Sequence, residues 1–294
     1  MERSAANRVT IIIVTYNSMP ALGDCLTSLD YGGEGVDWAL VVVDNGSDDG
    51  SLDCVGNIRP GATIIENKRN EGFAAACNRG AREADGDFLL FLNPDVILDK
   101  YAIKRLLEAA TTNIRVGALG GRLRNADDSF QPTCRRYPSV GNVLFSRGSV
   151  LGRWFGSSTR YTLPDYETTT AVPAIAGTML MIRRSLFERI EGFDPRFFMY
   201  LEDTDLCWRV KQAGYKNIFV PAAGGVHLWG QGSRVGGIRR AVQHHSSMWK
   251  YFLKHLPNGF SLIVLPVLLV ANLIATILSL NVRSLFSRSG EKKR

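Results

Sequence analysis

Short apolar runs alternate with helix-forming segments along the first third of the chain, and this alternation constrains the fold more than any other feature. The runs Val9–Thr15, 39–44 and Phe88–Leu92 are rich in β-branched and other apolar residues and have the length of strands buried on both faces. Between them lie segments with the composition of helices, such as the alanine-rich stretch 72–84. Strands and helices that alternate at this spacing build right-handed βαβ units. The sequence therefore predicts an α/β fold with a mostly parallel sheet flanked by helices.

Polar residues follow each of the first four predicted strands, of which the third is a short one at 63–65 and the fourth is Phe88–Leu92. In open α/β sheets, ligands bind at the carboxyl ends of the strands. Asn, Asp and Gly are also ordinary loop residues, but their repetition in four successive loops favours a binding edge over that alternative. The candidates are Thr15, Tyr16 and Asn17 after the first strand, Asp44, Asn45 and Asp48 after the second, residues 67–72 after the third, and Asn93 and Asp95 after the fourth.

The loops contain neither of the common glycine-rich phosphate motifs. GxGxxG after the first strand and GxxxxGK[ST] are both absent from the sequence, which disfavours ordinary dinucleotide and P-loop sites. Asp95 is a candidate ligand of a divalent metal, because Mg²⁺ takes one or two carboxylates together with substrate phosphates. Asp44 could accept the N3–H of uracil or thymine, with turn capping as the equal alternative. His227 could bind the metal or a phosphate, or could be structural.

Three acidic residues, Glu202, Asp203 and Asp205, open a predicted helix. The helix dipole stabilises acidic side chains at this position, so capping explains some of them. Three carboxylates in four residues, directly after the apolar run FFMYL, exceed what capping needs. A carboxylate in a partly apolar cleft is a candidate general base.

The positive charge of the chain is concentrated near its C-terminal end. The net charge is +7, yet residues 232–294 hold ten basic residues and one acidic residue, which gives +9, and the remainder carries −2. The slightly acidic main part argues against a nucleic-acid partner. The basic stretch surrounds residues 260–282, which contain no charge and as a helix are long enough to cross a bilayer. The pattern predicts a membrane-associated segment. A buried core helix is the alternative, and Pro266 and Asn272 leave open a bent, re-entrant or in-plane segment.

The termini and cysteines indicate a cytosolic setting. The first residues, MERSAANR, are polar and are not followed by the apolar region of a signal peptide. The five cysteines are odd in number and scattered, without a CxxC pair or metal-site spacing. This usage is typical of reduced thiols in the cytosol.

Six motifs follow one another in order along the chain: VTIIIVTYN, VVVDNGSDDGS, NKRNEGFAAACNRG, FLLFLNPD, AGTMLMIRRSLFERIEGFDPRFFMYLEDTDLCWR and HLWGQGS. These motifs resemble those of the family 2 glycosyltransferases of the GT-A fold, especially of bacterial rhamnosyltransferase-like members. Together they extend from Val9 to Ser233, and their order and spacing carry the resemblance. The resemblance implies a Rossmann-like half that binds a nucleotide sugar, an acceptor half, and a C-terminal membrane-associated helix.

The same resemblance implies roles for individual residues. Asn93 stands where the family often has the first Asp of Asp-x-Asp, so Asp95 would bind Mg²⁺ or Mn²⁺ and the diphosphate without a second motif carboxylate. Asp203 matches the base of the Glu-Asp motif that begins at Glu202. The donor residues it implies are Thr15, Asn17, Asp44 and Asp48 in the nucleoside pocket, and Asn70, Gly72, Phe73 and Asn78 in the segment facing the nucleotide sugar.

The activity that the resemblance implies is inverting transfer of a single sugar to a lipid-linked saccharide. The resemblance favours dTDP-L-rhamnose as the donor. It favours a hydroxyl of a polyprenyl-diphosphate saccharide as the acceptor, at the cytoplasmic face of a bacterial membrane. Residues 231–235 depart from the Gln-x-x-Arg-Trp motif of processive members, which favours single transfer over polymer synthesis.

Alternatives from other functional classes are also compatible with the sequence. One is a UDP-sugar donor with a different acceptor, and another is a catalytically silent scaffold that binds nucleotide sugars. A nucleotidyltransferase is disfavoured because no Gly- and Lys/Arg-rich triphosphate loop follows the first strand. The oligomeric state is open and includes a homodimer. The expected organisation is a catalytic domain in residues 1–238, a basic amphipathic helix in 239–257, a hydrophobic segment in 258–283 and a basic tail in 284–294.

Overall fold

The computed structural model describes residues 7–139, 161–228, 230 and 236–291, without the side chains of residues 260–261 and 279–291. The described residues form two compact units. The first takes its residues from Met1–Tyr137, Thr162–Pro195 and Glu202–Arg234, and the second from Pro138–Tyr161, Arg196–Leu201 and Val235–Arg294. The sequence predictions for residues 231–235 and for the side chains of the basic tail lie outside this description.

Four parallel strands form one half of the main sheet, as the sequence predicts. In space they lie in the order β3–β2–β1–β4, and every neighbouring pair is parallel. Their carboxyl ends therefore meet at one edge of the sheet. The bounds are β1 (Val9–Thr15), α1 (Ala21–Gly32), β2 (Trp38–Asp44), α2 (Ser51–Ile58), β3 (Thr63–Glu66), α3 (Phe73–Arg82) and β4 (Phe88–Leu92).

The other half of the sheet is mainly antiparallel, so the prediction of a mostly parallel sheet is wrong beyond β4. The strand β11 (Met179–Arg183) is antiparallel to both β4 and β6 (Val116–Arg124). It begins at the carboxyl edge, where the backbone N–H of Asn93 donates to the carbonyl of Thr178 at 2.9 Å. Because β11 begins beside the end of β4, it runs in the opposite direction to β4.

The remaining strands extend this mixed half. The long strand β12 runs parallel to β6 and antiparallel to β5 and β9, and a separate ribbon pairs β8 with β10. The bounds are β5 (Val96–Leu98), α4 (Ala102–Thr111), β7 (Phe130–Gln131), β8 (Cys134–Arg135), β9 (Thr170–Val172), β10 (Ala174–Ile175), α5 (Arg184–Arg189), α6 (Glu202–Gln212) and β12 (Lys216–His227).

Apolar cores cover both faces of the sheet. Ile11 and Ile13 of β1 pack into the core that also contains residues of α1 and α4. Ile12 and Val14 point to the opposite core, which contains residues of α3, α5 and α6. Successive strand residues face opposite sides of a sheet, so a strand between two helix layers must be apolar at almost every position. This explains why β1 is a continuous run rather than an alternating pattern.

The second unit is mainly helical. The helix α7 (Gly237–His255) is followed by a π-helical turn (Phe260–Val264) and by α8 (Leu265–Glu291). Among the described residues, none of the helices combines the length and hydropathy that crossing a bilayer needs. The membrane association of residues 258–283 therefore stays a prediction. The core of this unit consists of Phe197, Leu201, Met248, Tyr251, Phe252, Leu265 and Leu269.

Candidate active site

The loops after β1 and β2 are joined by hydrogen bonds at the carboxyl edge of the sheet. The backbone N–H of Asn17 donates to Ser47 Oγ at 2.9 Å, and the N–H of Asp48 donates to Asn17 Oδ1 at 2.8 Å. Asn17 has a φ of 53°, a conformation that Asn adopts more readily than most residues. Nearby, the N–H of Met19 donates to Asp49 Oδ2 at 2.8 Å. The structure thus brings the predicted loop residues together.

Two of these residues differ in their exposure to solvent. Asp48 is exposed, whereas the Thr15 hydroxyl is buried and donates to Ser18 at 2.9 Å.

The carboxylate of Asp44 holds the turn that follows its own strand. Its Oδ2 accepts the backbone N–H of Gly46 at 3.0 Å and that of Ser47 at 2.9 Å, while its Oδ1 accepts the Ser47 hydroxyl. Asp44 is buried, at 2 % exposure. The capping role weighed for Asp44 is therefore observed, and base recognition stays a prediction for this residue.

Amide side chains connect the second loop to the third. Asn45 is buried, accepts from Asn67 Nδ2 at 2.7 Å, and donates to the carbonyl of Gly72 at 3.3 Å. Asn70 Oδ1 accepts the N–H of Gly72 at 2.9 Å, and Gly72 has a φ of 90°, which favours glycine. These contacts position Phe73, the first residue of α3. Asn45 and Asn70 therefore shape the loop backbone, and a contact of either with a ligand stays a prediction.

The side chain of Asn78 binds the backbone of a distant segment of the chain. Its Nδ2 donates to the carbonyl of Phe193 at 2.7 Å, and its Oδ1 accepts the N–H of the same residue at 2.8 Å. Both ends of the amide are thus bonded to one backbone position. The structure gives Asn78 a structural role, and its expected contact with a nucleotide sugar stays a prediction.

Asp95 and His227 lie side by side, although they are far apart in the sequence. The pairing of β5 with β12 places His227 opposite Val96, and the ring Nε2 lies 3.2 Å from Asp95 Oδ1. The other ring nitrogen, Nδ1, lies 2.6 Å from Gln131 Oε1. Both Asp95 and His227 are buried, at 3 % and 6 % exposure. The two predicted metal ligands are thus brought together at the carboxyl edge.

The chemistry of this pair fits a divalent cation. A carbonyl oxygen such as Gln131 Oε1 only accepts, so His227 Nδ1 must donate to it, the arrangement typical of metal-binding histidines. Nε2 then faces Asp95 Oδ1, so two atoms of the kind that could bind a divalent cation lie side by side. No cluster of three or more His, Cys, Asp or Glu residues able to hold a metal occurs in the described part of the chain. Two ligands suffice where substrate phosphates complete the coordination of Mg²⁺.

Asp203 is held by hydrogen bonds on both carboxylate oxygens. Its Oδ2 accepts Arg135 Nη2 at 3.0 Å and the N–H of Gly177 at 2.8 Å. Its Oδ1 accepts the N–H of Thr204 at 2.6 Å and the Thr204 hydroxyl at 3.0 Å. Asp203 is 5 % exposed, so these bonds fix the carboxylate in one orientation.

The neighbouring acids have different environments. Asp205 is fully buried and forms an ion pair with Arg209 at 2.8 Å, which makes it a structural residue. Glu202 is also buried, and its Oε2 has no hydrogen-bond partner among the described residues. Burial, and next the negative charge of Asp203, raise the pKa of Glu202 from 4.5 to about 8. Carboxyl groups with displaced pKa values are typical of acid–base sites.

Glu202→Gln is expected to remove a pH dependence of stability. Between its ordinary pKa of 4.5 and the folded value of about 8, Glu202 is protonated in the folded chain and ionised in the unfolded chain. Folding therefore takes up a proton, and stability is lost as the pH rises through this window, by up to about 1.4 kcal/mol per pH unit. The variant lacks this loss. Urea unfolding is measured at a series of pH values. As the pH rises through this window, the free energy of unfolding of the variant should increase relative to that of wild type by a few kcal/mol in total.

A matched control uses Glu108, an exposed residue of α4. Glu108→Gln should leave the slope of stability against pH unchanged. Equal slopes for wild type and Glu202→Gln would contradict the raised pKa of Glu202.

Gly177 connects the acidic cluster to the loops that follow β3 and β4. A Cβ on this glycine would lie 3.4 Å from Asp203 Cβ and 3.5 Å from Phe73 Cε1. The next residue, Thr178, binds the backbone of Asn93. The acidic cluster therefore lies at the same edge as the polar loops of β1–β4.

Several residues of this edge carried no signal in the sequence. Ser47 and Asp49 lie within the motif VVVDNGSDDGS, but no pattern assigns either of them an individual role. Arg135 and Gln131 are 68 and 96 residues from their partners Asp203 and His227, so no local pattern could indicate them.

Comparisons with known proteins agree with this architecture. A 31 % identical relative over 85 % of both chains is the N-acetylglucosaminyl-diphospho-decaprenol L-rhamnosyltransferase of Mycobacterium tuberculosis. The rhamnosyltransferase WbbL of Escherichia coli K12 is 28 % identical over 59 % of this chain and 64 % of its own. A mannosyltransferase of Pyrobaculum calidifontis, solved with GDP-mannose and Mn²⁺, matches with a TM-score of 0.60 at 20 % identity, covering 98 % of this chain and 81 % of that one.

The match to a family model covers most of the first unit. Residues 10–191 match the model described as glycosyl transferase family 2, and residues 140–286 match glycosyl transferase family group 2. The structural match shows the GT-A fold, and together with these sequence matches it leads to one conclusion: the chain belongs to glycosyl transferase family 2.

Proposed function

We propose that this protein transfers L-rhamnose from dTDP-L-rhamnose to a hydroxyl of a polyprenyl-diphosphate-linked saccharide. The observation that carries the proposal is the acidic cluster of Glu202 and Asp203 at the edge where the loops of β1–β4 meet. The similarity to the mycobacterial and Escherichia coli rhamnosyltransferases supports the choice of sugar and of a lipid-linked acceptor. Such an enzyme would act at the cytoplasmic face of the membrane, where nucleotide sugars are available.

Asp203 is proposed as the general base. A base must be fixed within hydrogen-bond reach of the acceptor hydroxyl, and Arg135 and Gly177 hold one carboxylate oxygen in place. The Thr204 hydroxyl, bound to the other oxygen at 3.0 Å, can rotate away and leave its place to the acceptor hydroxyl. As the proton moves to Asp203, the acceptor oxygen attacks the anomeric carbon from the face opposite the diphosphate. A single displacement of this kind inverts the anomeric carbon.

Glu202 is proposed to assist as a neutral neighbour. With a pKa raised to about 8, it is largely protonated at neutral pH and adds no second negative charge beside Asp203. A protonated carboxyl also has an O–H that can donate to the acceptor or to Asp203.

The donor is proposed to bind along the loops of β1–β4. Thr15, Tyr16, Asn17, Asp44 and Asp48 would surround the nucleoside, while Gly72, Phe73 and Asn93 would face the diphosphate and sugar. Asp95 and His227 would hold Mg²⁺ or Mn²⁺. A bound cation would stabilise the negative charge that develops on the departing diphosphate. The burial of Asp95 and the hydrogen bond that orients His227 support these assignments.

Two other functions make different predictions. A UDP-sugar transferase would use the same residues with another donor, since uracil and thymine differ by one methyl group. A silent scaffold would bind a nucleotide sugar without turnover, and the buried, oriented Asp203 argues against it.

A donor screen tests the proposed function. The purified protein is incubated with Mn²⁺ or Mg²⁺, a polyprenyl-diphosphate N-acetylglucosamine and single nucleotide sugars, and products are read by mass. The expected product gains one deoxyhexose from dTDP-L-rhamnose. Product from a UDP-sugar alone would replace the proposed donor, and donor binding without any product would favour the scaffold.

A further inference from the structure

The helix α8 is apolar on two opposite faces, and only one of them is covered within its unit. Leu265 and Leu269 are buried in the core of that unit. Val267, Val270, Ile274 and Leu278 are 67 %, 56 %, 54 % and 60 % exposed. At about 100° per residue, these four positions fall within an arc of roughly 80° on the side opposite Leu265 and Leu269. We call this row of four residues the exposed stripe.

The covered face of α8 lies against α7 in an antiparallel hairpin. Asn272 Nδ2 lies 3.0 Å from His245 Nε2, and Leu265 and Leu269 share a core with Tyr251 and Phe252. Later residues of α8 thus contact earlier residues of α7, as in an antiparallel pair of helices. The helix α7 contains Arg239, Arg240, Lys250, Lys254 and three histidines, so it is too polar to enter hydrocarbon. A helix that lies along α7 over this length cannot cross a bilayer while α7 stays outside it.

The charge of the surrounding sequence identifies what covers the exposed stripe. Residues 232–294 carry ten basic residues and one acidic residue. A second copy of the chain would bring another +9 against the first and would be repelled, whereas an anionic lipid surface attracts basic residues. Residues 260–282 contain no charge, so the stripe can enter the boundary between headgroups and acyl chains.

We propose that the exposed stripe binds the surface of an anionic lipid bilayer, with α8 lying in the plane of the interface and α7 covering its other face. An in-plane helix of this kind buries one apolar face about 5–10 Å into the boundary between headgroups and acyl chains. The inference does not depend on the proposed transferase activity, because lipid binding is measured without donor or acceptor.

Flotation with lipid vesicles tests the binding face. The full chain should bind vesicles of phosphatidylglycerol and phosphatidylcholine, and much less those of phosphatidylcholine alone. Ile274→Asp should weaken binding by about tenfold or more, because it removes apolar area and adds a charge that the anionic surface repels. Ile114→Asp, at a 72 % exposed isoleucine of the first unit, is the matched control and should leave binding unchanged.

Depth measurements test the orientation. Of the five cysteines only Cys54 is not buried, so a Cys54→Ser background allows a nitroxide to be attached at Val267→Cys or Leu278→Cys. An in-plane helix places both labels at the same depth, whereas a spanning helix would separate them by about 16 Å over eleven residues.

Each other outcome overturns the proposal. Different depths for the two labels would show a spanning helix. Equal binding to neutral vesicles would remove the anionic surface as the partner. Absence of vesicle binding, together with a dimer that Ile274→Asp converts to monomer, would assign the exposed stripe to a second copy of the chain.

Discussion

Asp203→Asn should lower turnover by roughly 10²–10⁴-fold, the usual contribution of a general base, while donor affinity changes little. Asn has nearly the same shape but cannot take the proton of the acceptor hydroxyl. It also places an amide N–H₂ where Arg135 or Thr204 now donates, so the fold must be checked. Turnover is measured with a lipid-linked acceptor, donor affinity by calorimetry, and folding by thermal unfolding.

Three further variants make this result decisive. Asp203→Glu keeps the charge but moves it by one methylene, and a large loss of turnover with normal unfolding would show that position matters. Asp53→Asn, an exposed acid of α2, controls for removal of a charge and should be silent. Near-normal turnover of Asp203→Asn, with a large loss in Glu202→Gln, would transfer the role of base to Glu202.

Asp95→Ala should abolish metal-dependent donor binding and lower turnover by roughly two orders of magnitude or more, because a bound cation contributes several kcal/mol to stabilising the leaving diphosphate. The backbone at Asp95, whose carbonyl accepts the N–H of Leu228 at 2.9 Å, is untouched by the substitution. Binding of Mn²⁺ to the protein in the presence of nucleoside diphosphate is followed by electron paramagnetic resonance. This readout does not require activity.

His227→Gln is the companion variant for the metal site. If His227 is a ligand, this change should weaken Mn²⁺ binding without abolishing it, since Asp95 remains. Asp53→Ala is the silent control for charge. Wild-type turnover that persists undiminished in EDTA would contradict the metal assignment and leave the diphosphate to arginine and backbone donors.

The local pattern of the sequence determined the first half of the fold and the edge where the site lies. The run Val9–Thr15 is apolar at most positions because helices cover both faces of β1, and this continuous run is what allowed the sequence to predict a buried strand. The loop residues at Asp44 and Asp95 could be predicted because each directly follows such a strand. The segment 260–282 was recognisable as apolar from composition alone.

Tertiary structure decided which of these residues meet and what each can do. The approach of His227 to Asp95 depends on the pairing of β12 with β5. The contact of Arg135 with Asp203 joins two residues that are 68 positions apart in the sequence. The raised pKa of Glu202 follows from burial beside Asp203. Composition likewise could not separate a spanning helix from one covered by α7 on a single face. The physical reason is shared: periodicity and composition report only how a residue relates to its near neighbours in sequence. Burial, pKa and ligand geometry depend on contacts between distant segments, which form only when the chain folds.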